Sequence, residues 1–179
     1  MDMGRAALDY LPHYTLEDYD RWEGDWELID GVPFAMAPRP GFAHQRASMH
    51  FIESIRQQLR SCAECQLYPE IEWRIASNLV FQPDLVVICR EPNNPHYLDF
   101  PPELIIEILS PSTEAKDRGL KMERYAWYGV RFYMLADPQR KQLEAYQLEQ
   151  GSYRKLKGPQ FELTLTESCR IQLSETIDM

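Results

Sequence analysis

The residues best suited to chemistry in this sequence are two carboxylates at apolar strands. Glu107 is the single acid within the run LIIEIL at 104–109, and Asp84 stands immediately before the run LVVI at 85–88. Continuous apolar runs of this length are typical of strands buried on both faces of a sheet. An ionised carboxylate buried there needs a bound metal, a paired cation or a shifted pKa. Glu107 and Asp84 are therefore the primary candidates for a functional site.

A hard divalent cation would suit these two acids if their strands are neighbours. Mg²⁺, or Mn²⁺ in its place, prefers oxygen ligands and keeps several waters, so two carboxylates and a backbone carbonyl such as that of Ile108 suffice. Lys121 lies in a helix predicted after the polar turn at 110–113, and that helix can return it to the same end of the sheet. There it would orient or deprotonate a water and stabilise negative charge on a phosphate. The combination of Asp84, Glu107 and Lys121 predicts a hydrolytic site.

Each of these residues also has a purely structural interpretation. Asp84 would cap the turn after Pro83, and Lys121 would form an exposed pair with Asp117, four residues earlier on the helix. Glu107 would form a buried ion pair that holds the helix to the sheet, and its candidate partners are Lys121, Arg118 and Arg124. The three residues together favour a site more strongly than any one of them does.

Two further residues are weaker candidates for the same site. Glu27 lies in the first strand of a predicted hairpin, where a solvated or paired carboxylate is the commoner case. His44 falls in the first turn of a predicted helix, where it would be either a surface histidine or a base or phosphate contact. We include Glu27 and His44 as secondary candidates for catalytic residues.

The elements that must position these side chains follow from hydrophobic periodicity and turn signals. We expect a short helix at 15–22, a hairpin at 26–37 around Asp30-Gly31, and a first long helix from Ala43 to about Arg60. Further strands are expected at 66–69, 71–75, 79–89, 104–109, 131–136, 142–148, 152–156 and 161–165. This order predicts an α/β or α+β fold with a mixed central β-sheet flanked by helices. Residues 1–179 are expected to form one domain, with a flanking N-terminal segment at about 1–25.

Composition limits the classes of partner. The chain carries 19 basic and 28 acidic residues, a net charge of −9, which opposes broad attraction to nucleic acid or to an anionic membrane. A polyanionic partner would need a local basic patch or a bound cation. The sequence has no apolar stretch of the roughly twenty residues that span a bilayer, and its N-terminus lacks the layout of a secretory signal. We therefore expect a cytoplasmic protein without a membrane partner.

The four cysteines give a weak signal. Cys62 and Cys65 form one Cys-x-x-Cys pair, whereas Cys89 and Cys169 are isolated in the sequence. A closed structural zinc site usually takes four ligands, and the sequence offers no second pair. We expect reduced, partly buried thiols rather than a zinc or redox centre.

The ordered set of motifs resembles the Uma-two family, a bacterial family of endonucleases. The resemblance runs from about Tyr14 to Leu148. It rests on Glu27-Leu28-Ile29-Asp30-Gly31, His44-Gln45, Gln82-Pro83-Asp84, the segment PELIIEILSPS at 102–112, Asp117-Arg118-Gly119 with Lys121 and Tyr125, and the segment YMLADP at 133–138.

The resemblance implies a restriction-endonuclease-like fold of the PD-(D/E)XK type, Mg²⁺-dependent cleavage of DNA and a homodimer. By position, Asp84 matches the motif aspartate and Glu107 the motif acid. The sequence departs from the pattern at Leu109, where a lysine would complete the acid-x-lysine element. Family members of this type supply the lysine from the following helix, and Lys121 is the matching position.

The negative net charge predicts weak or transient engagement of DNA. The basic residues that cluster in the sequence are Lys116, Arg118, Lys121 and Arg124, and those that could join them are Arg39, Arg46 and Arg56. The residues alone leave two other hypotheses open. One is a catalytically silent dimeric binding or scaffold protein that retains the nuclease fold. The other is a glycosidase-like pair of carboxylates, which would need an open, sugar-sized cleft and no metal.

Overall fold

A computed structural model describes residues 12–36 and 39–177. Its helices are α1 (Leu16–Tyr19), α2 (Phe42–Leu59), α3 (Glu114–Lys116) and α4 (Met122–Trp127), and a π-helical turn (Asp117–Lys121) joins α3 to α4. Its strands are β1 (Trp26–Ile29), β2 (Val32–Ala35), β3 (Gln66–Pro69), β4 (Trp73–Ala76), β5 (Leu79–Phe81), β6 (Leu85–Ile88), β7 (Leu104–Ile108), β8 (Phe132–Asp137), β9 (Gln142–Glu149), β10 (Ser152–Lys155), β11 (Gln160–Thr164) and β12 (Arg170–Ser174).

The strands form three sheets. The largest has six strands in the order β10-β9-β8-β7-β6-β3, and it is mixed because β7 and β8 run parallel while its other neighbours are antiparallel. A four-stranded sheet has the order β2-β1-β5-β4, and β11 pairs with β12 alone. The expected mixed central sheet with flanking helices is confirmed. The sequence did not indicate β12 or the division into three sheets.

Strand β7 lies in the middle of the large sheet and is buried on both faces. Leu104, Ile106 and Ile108 belong to a core shared with α2 and the β11–β12 hairpin, whereas Ile105 and Leu109 belong to a second core shared with α4 and the four-stranded sheet. Burial of each such side chain contributes about 1.5–3 kcal/mol relative to its exposure. The expected burial of this strand on both faces is therefore confirmed, and alternation places Glu107 on the face of Ile105 and Leu109, toward the second core.

Two local predictions near the N-terminus are also confirmed. Thr15 precedes α1, and the Asp18 carboxylate accepts a hydrogen bond from the Thr15 amide at 2.9 Å. The β1–β2 hairpin turns at Asp30 and Gly31, which have φ angles of 52° and 81°, as a tight primed turn requires. Residues 1–11 and 37–38 lie outside the described structure, and so do parts of the predicted flanking segment, hairpin and following loop.

The helix predicted to carry Lys121 is not a continuous α-helix. It consists of the short helix α3, the π-helical turn and α4, and the π-helical turn has Gly119 at its centre. Single π-helical turns in proteins are frequently found at functional sites. Here the turn buries Asp117 and Lys121 together against the sheet.

The prediction of reduced cysteines is wrong in this structure. Cys62 is joined to Cys169 and Cys65 to Cys89, so both members of the Cys-x-x-Cys pair are bonded to distant cysteines. The periodicity of the sequence could not reveal this, because the pairing depends on how the turn after α2 meets β6 and the β11–β12 hairpin. Within the described residues, no helix is long and apolar enough to cross a bilayer.

Candidate active site

The two primary carboxylates meet where β6 begins and β7 ends. These strands are antiparallel neighbours, with Leu85 opposite Ile106. Oδ2 of Asp84 accepts a hydrogen bond from the Ile108 amide at 2.7 Å, and Oε2 of Glu107 accepts a longer one from the Asp84 amide at 3.4 Å. Each carboxylate therefore contacts the backbone beside the other, as the sequence predicted for neighbouring strands.

Glu107 is a buried carboxyl group with two strong donors. Its side chain is 3% exposed, and Oε1 accepts hydrogen bonds from Nζ of Lys121 at 2.9 Å and from the Tyr125 hydroxyl at 2.7 Å. Burial raises the pKa of Glu107 to about 8. The positive charge of Lys121 opposes this increase, while the negative charges of Asp117 and Asp84 add to it.

Lys121 occupies the centre of a group of acids. Its Nζ atom lies 2.8 Å from Oε1 of Glu27, 2.9 Å from Oε1 of Glu107 and 3.6 Å from Oδ1 of Asp117. Burial alone would lower the pKa of Lys121, but the three carboxylates outweigh it and hold the pKa well above its usual value. The lysine is therefore a buried ammonium ion. The exposed Lys121–Asp117 pair considered from the sequence is replaced by this buried arrangement.

Glu27 belongs to the same group although its hairpin is distant in sequence. The fully buried side chain accepts hydrogen bonds from the Gln82 amide at 3.0 Å and from the Lys116 ammonium group. Burial raises the pKa of Glu27, but the charges of Lys121 and Lys116 together outweigh it, and the net pKa is lowered. Glu27 is thus an ionised partner of the two lysines.

His44 marks the side of the site nearest to solvent. Its Nε2 atom lies 3.2 Å from Oδ1 of Asp84, and the two side chains are 13% and 20% exposed. Burial lowers the pKa of His44, but the contact with Asp84 outweighs it and gives a net increase. The structure thus brings all five candidate residues into one cluster, in the order His44, Asp84, Glu107, Lys121 and Glu27, and backbone amides form the link between Asp84 and Glu107.

Comparison with known proteins identifies the family of this chain. A family model described as "Uma2: Putative restriction endonuclease" matches residues 16–177. The chain belongs to the Uma2 family.

Two relatives give the extent of the likeness. An uncharacterised protein of the cyanobacterium Synechocystis sp. is 29% identical to the Uma2 chain over 129 residues, which cover 65% of this chain and 64% of that protein. The chain therefore spans just under two thirds of the length of that relative. A crystal structure from Anabaena variabilis, described as a "putative nuclease belonging to DUF820", superposes with a TM-score of 0.67. It is 19% identical, with 81% of this chain and 85% of that chain covered, and it supports the restriction-endonuclease-like fold.

Three other residues lie in the same cluster of the Uma2 chain and were not proposed as site residues from the sequence. They are Lys116, Asp117 and Tyr125. Asp117 is buried, burial raises its pKa, and its Oδ1 atom has no hydrogen-bond partner among the described residues. A signal for two of them was present, because Asp117 and Tyr125 lie four residues before and after Lys121 and so share its helix face.

The basic residues that cluster at 116–124 pair with acids of the Uma2 chain itself. Lys116 and Lys121 pair with Glu27. Arg118 pairs with Glu114 and Glu144, and Arg124 pairs with Asp30. These residues therefore neutralise carboxylates of their own chain.

The donor set fits a hard divalent cation. Leu109 donates its amide to the Ala136 carbonyl in β8, so the amide and carbonyl of Ile108 face β6 and Asp84. Within residues 12–36 and 39–177, no group of three histidine, cysteine or acidic side chains is arranged to hold a metal. The Uma2 chain would therefore supply two carboxylates and one carbonyl, with water completing the shell. Burial is the main cause of the raised pKa of Glu107, and the nearby negative charges of Asp117 and Asp84 add to the increase.

Proposed function

We propose that this protein is a metal-dependent endonuclease that hydrolyses DNA phosphodiester bonds. The observation that carries the proposal is the convergence of Asp84 and Glu107 from adjacent strands with the Lys121 ammonium ion, 2.9 Å from Glu107, supplied by a separate helix. Two acids and a lysine in this arrangement can bind a cation and compensate charge on a phosphate. Family membership supports a nuclease, while the metal and the DNA substrate belong to the proposal.

Each residue has a separate task in this mechanism. Asp84, Glu107 and the Ile108 carbonyl would hold Mg²⁺ or Mn²⁺, and the bound cation would polarise the phosphate and lower the pKa of water. Lys121 stabilises negative charge that develops on the phosphate oxygens. Glu27 keeps Lys121 protonated and fixes the position of its Nζ atom.

The solvent-facing side of the cluster limits how substrate can reach it. Glu107 and Lys121 are almost completely buried, whereas Asp84 and His44 retain contact with solvent. A phosphate must therefore approach past Asp84 and His44, where His44 orients the Asp84 carboxylate through Nε2. The depth of Glu107 does not favour a glycosidase-like use of the two carboxylates, because that chemistry needs a sugar-sized cleft between them.

Cleavage of DNA, both plasmid and single-stranded, in the presence of Mg²⁺ or Mn²⁺ tests the proposal. We expect activity in the wild type, a loss of at least about a hundredfold in Asp84→Asn and in Glu107→Gln, and no activity in a chelator. Glu123→Gln is the matched control, since Glu123 is exposed on the helix that follows Lys121. Activity that survives in both site variants would refute the assignment. A folded wild type that binds no divalent cation in calorimetry would favour the catalytically silent scaffold.

The same proposal includes a homodimer, which the family resemblance implies. Sedimentation equilibrium of the wild type tests this part independently of cleavage. A single monomeric species at micromolar concentration would contradict it.

A further inference from the structure

The outer face of α2 carries an uninterrupted stripe of exposed side chains. Its members recur at alternating intervals of four and three residues, so they lie along one line of the helix. They are Phe42, Arg46, Met49, Glu53, Arg56 and Arg60, and all six are exposed. We call this set the α2 stripe. It lies opposite the face formed by Ala47, Phe51 and Ile55, which is buried in the core.

The charge of the α2 stripe is the opposite of the charge of the chain. The stripe has three arginines and one glutamate, whereas the whole protein has a net charge of −9. Within the described residues, no ion pair involves Arg46, Arg56 or Arg60, in contrast to the paired arginines near Lys121. Free guanidinium groups on an acidic protein form the kind of local basic patch that a polyanion requires.

The apolar members of the α2 stripe indicate the form of the polyanion. Phe42 is 88% exposed and Met49 is 52% exposed, and the two flank Arg46 along the stripe. Duplex DNA presents phosphates and sugars to a helix that lies across its backbone. A single strand also presents unstacked bases, which bind exposed aromatic and apolar side chains between cations.

A second copy of the chain fits the α2 stripe poorly. If two copies paired antiparallel about the middle of the stripe, Arg46 of each copy would face Arg56 of the other. In a parallel pairing each arginine would face itself. Both arrangements oppose like charges, whereas a nucleic acid strand neutralises all three arginines at once.

The α2 stripe also starts close to the candidate active site. Phe42 and Arg46 flank His44, whose side chain contacts Asp84 from the opposite side of the same helical turn. One helix diameter, about 10 Å, separates the two sides. From Arg46 to Arg60 the stripe extends roughly 20 Å along the helix. A strand that follows the stripe can therefore bend around the first turn of α2 and present a phosphate at Asp84.

From these observations we propose that the α2 stripe binds single-stranded nucleic acid and guides it to the active site. This inference rests on the proposed nuclease function and adds the form of the substrate and the surface that holds it. Arg46, Arg56 and Arg60 contact phosphates, and Phe42 stacks on a base.

Fluorescence anisotropy in a chelator tests binding without cleavage. The probe is a short labelled oligodeoxynucleotide, used as a single strand and as a duplex. We expect the wild type to prefer the single strand. Arg46→Glu combined with Arg56→Glu should weaken binding about tenfold or more. It should also reduce the slope of log Kd against the logarithm of the salt concentration by about 1.4. Phe42→Ala should weaken single-strand binding about fivefold or more, with a smaller effect on the duplex.

The matched control changes the same net charge elsewhere. Arg154→Glu combined with Lys157→Glu alters two exposed cations near β10 and should leave affinity within about twofold. Equal losses in both double variants would overturn the proposal, as would tighter binding of the duplex. A change in oligomeric mass in the Arg46→Glu/Arg56→Glu variant, measured by sedimentation, would also overturn it by showing an interface between copies. Because no cleavage is measured, failure here leaves the test of nuclease activity intact.

Discussion

The ammonium group of Lys121 lies 2.9 Å from Oε1 of Glu107, although the lysine comes from a π-helical turn and not from β7. In the acid-x-lysine pattern the lysine would follow the acid by two residues on the same strand. That position is Leu109, which packs in the second hydrophobic core. The π-helical turn supplies the lysine that β7 lacks and places it beside the Glu107 carboxylate. The acid and the lysine are therefore neighbours, although the lysine comes from a different element.

Replacement of Lys121 by Met should strongly destabilise the protein. The change leaves Glu27, Glu107 and Asp117 buried near one another without their shared cation, and breaking a buried ion pair in this way costs about 3–5 kcal/mol. Urea denaturation measures this loss as a decrease in the free energy of unfolding. Lys157→Met, at an exposed position, is the control. A loss for Lys121→Met no larger than that of the control would contradict the buried network.

Stability should fall as pH rises through the titration of Glu107. Its pKa is about 8 in the folded protein and 4.5 in an unfolded chain, so between these values the folded state binds one more proton. This contribution is fully present below about pH 4.5 and is lost as pH rises through about 8. The raised pKa of His44 acts in the same direction.

The free energy of unfolding of wild type and Glu107→Gln, compared between mildly acidic and mildly alkaline pH, checks this expectation. The free energy of unfolding of the variant should depend much less on pH than that of the wild type. Mg²⁺ should reduce the pH dependence of the wild type, because the cation replaces the proton. A wild-type slope unchanged by Glu107→Gln would show that another group controls the pH dependence.

Removal of the two disulfides should destabilise the protein unequally. The Cys62–Cys169 bond closes a loop with a sequence separation of 107, and the Cys65–Cys89 bond one of 24. Loop-closure entropy gives about 4.8 kcal/mol for the first and about 3.5 kcal/mol for the second. Thermal unfolding of Cys62→Ala/Cys169→Ala and of Cys65→Ala/Cys89→Ala measures the order. Detection of four free thiols in the unreduced, denatured protein would contradict both bonds.

Much of the fold and the primary site could be predicted because both depend on local patterns. The apolar runs around Glu107 and after Asp84 identified two central strands, and the turn at Asp30-Gly31 identified a hairpin. Lys121 could be predicted because one helix separates it from β7. Each of these inferences depends on spacing within one or two elements.

The remainder depends on contacts between distant elements. Glu27 joins the site only because β1 pairs with β5 and lies over the π-helical turn, and periodicity cannot show this pairing. The same limit applies to the disulfides of Cys62 and Cys65. The pairing of Arg118 and Arg124 could not be predicted for a related reason, since their acidic partners Glu144 and Asp30 lie on other elements.

The most direct test of a metal-dependent active site is a crystal structure grown with Mn²⁺ and measured for anomalous scattering. We predict one strong peak between Asp84 and Glu107, with ligand distances of about 2.0–2.2 Å to both carboxylates and to the Ile108 carbonyl. The peak should be absent from crystals of Glu107→Gln. An empty position in the wild type at saturating Mn²⁺, with Glu107 still held by Lys121 and Tyr125, would contradict a metal-dependent active site.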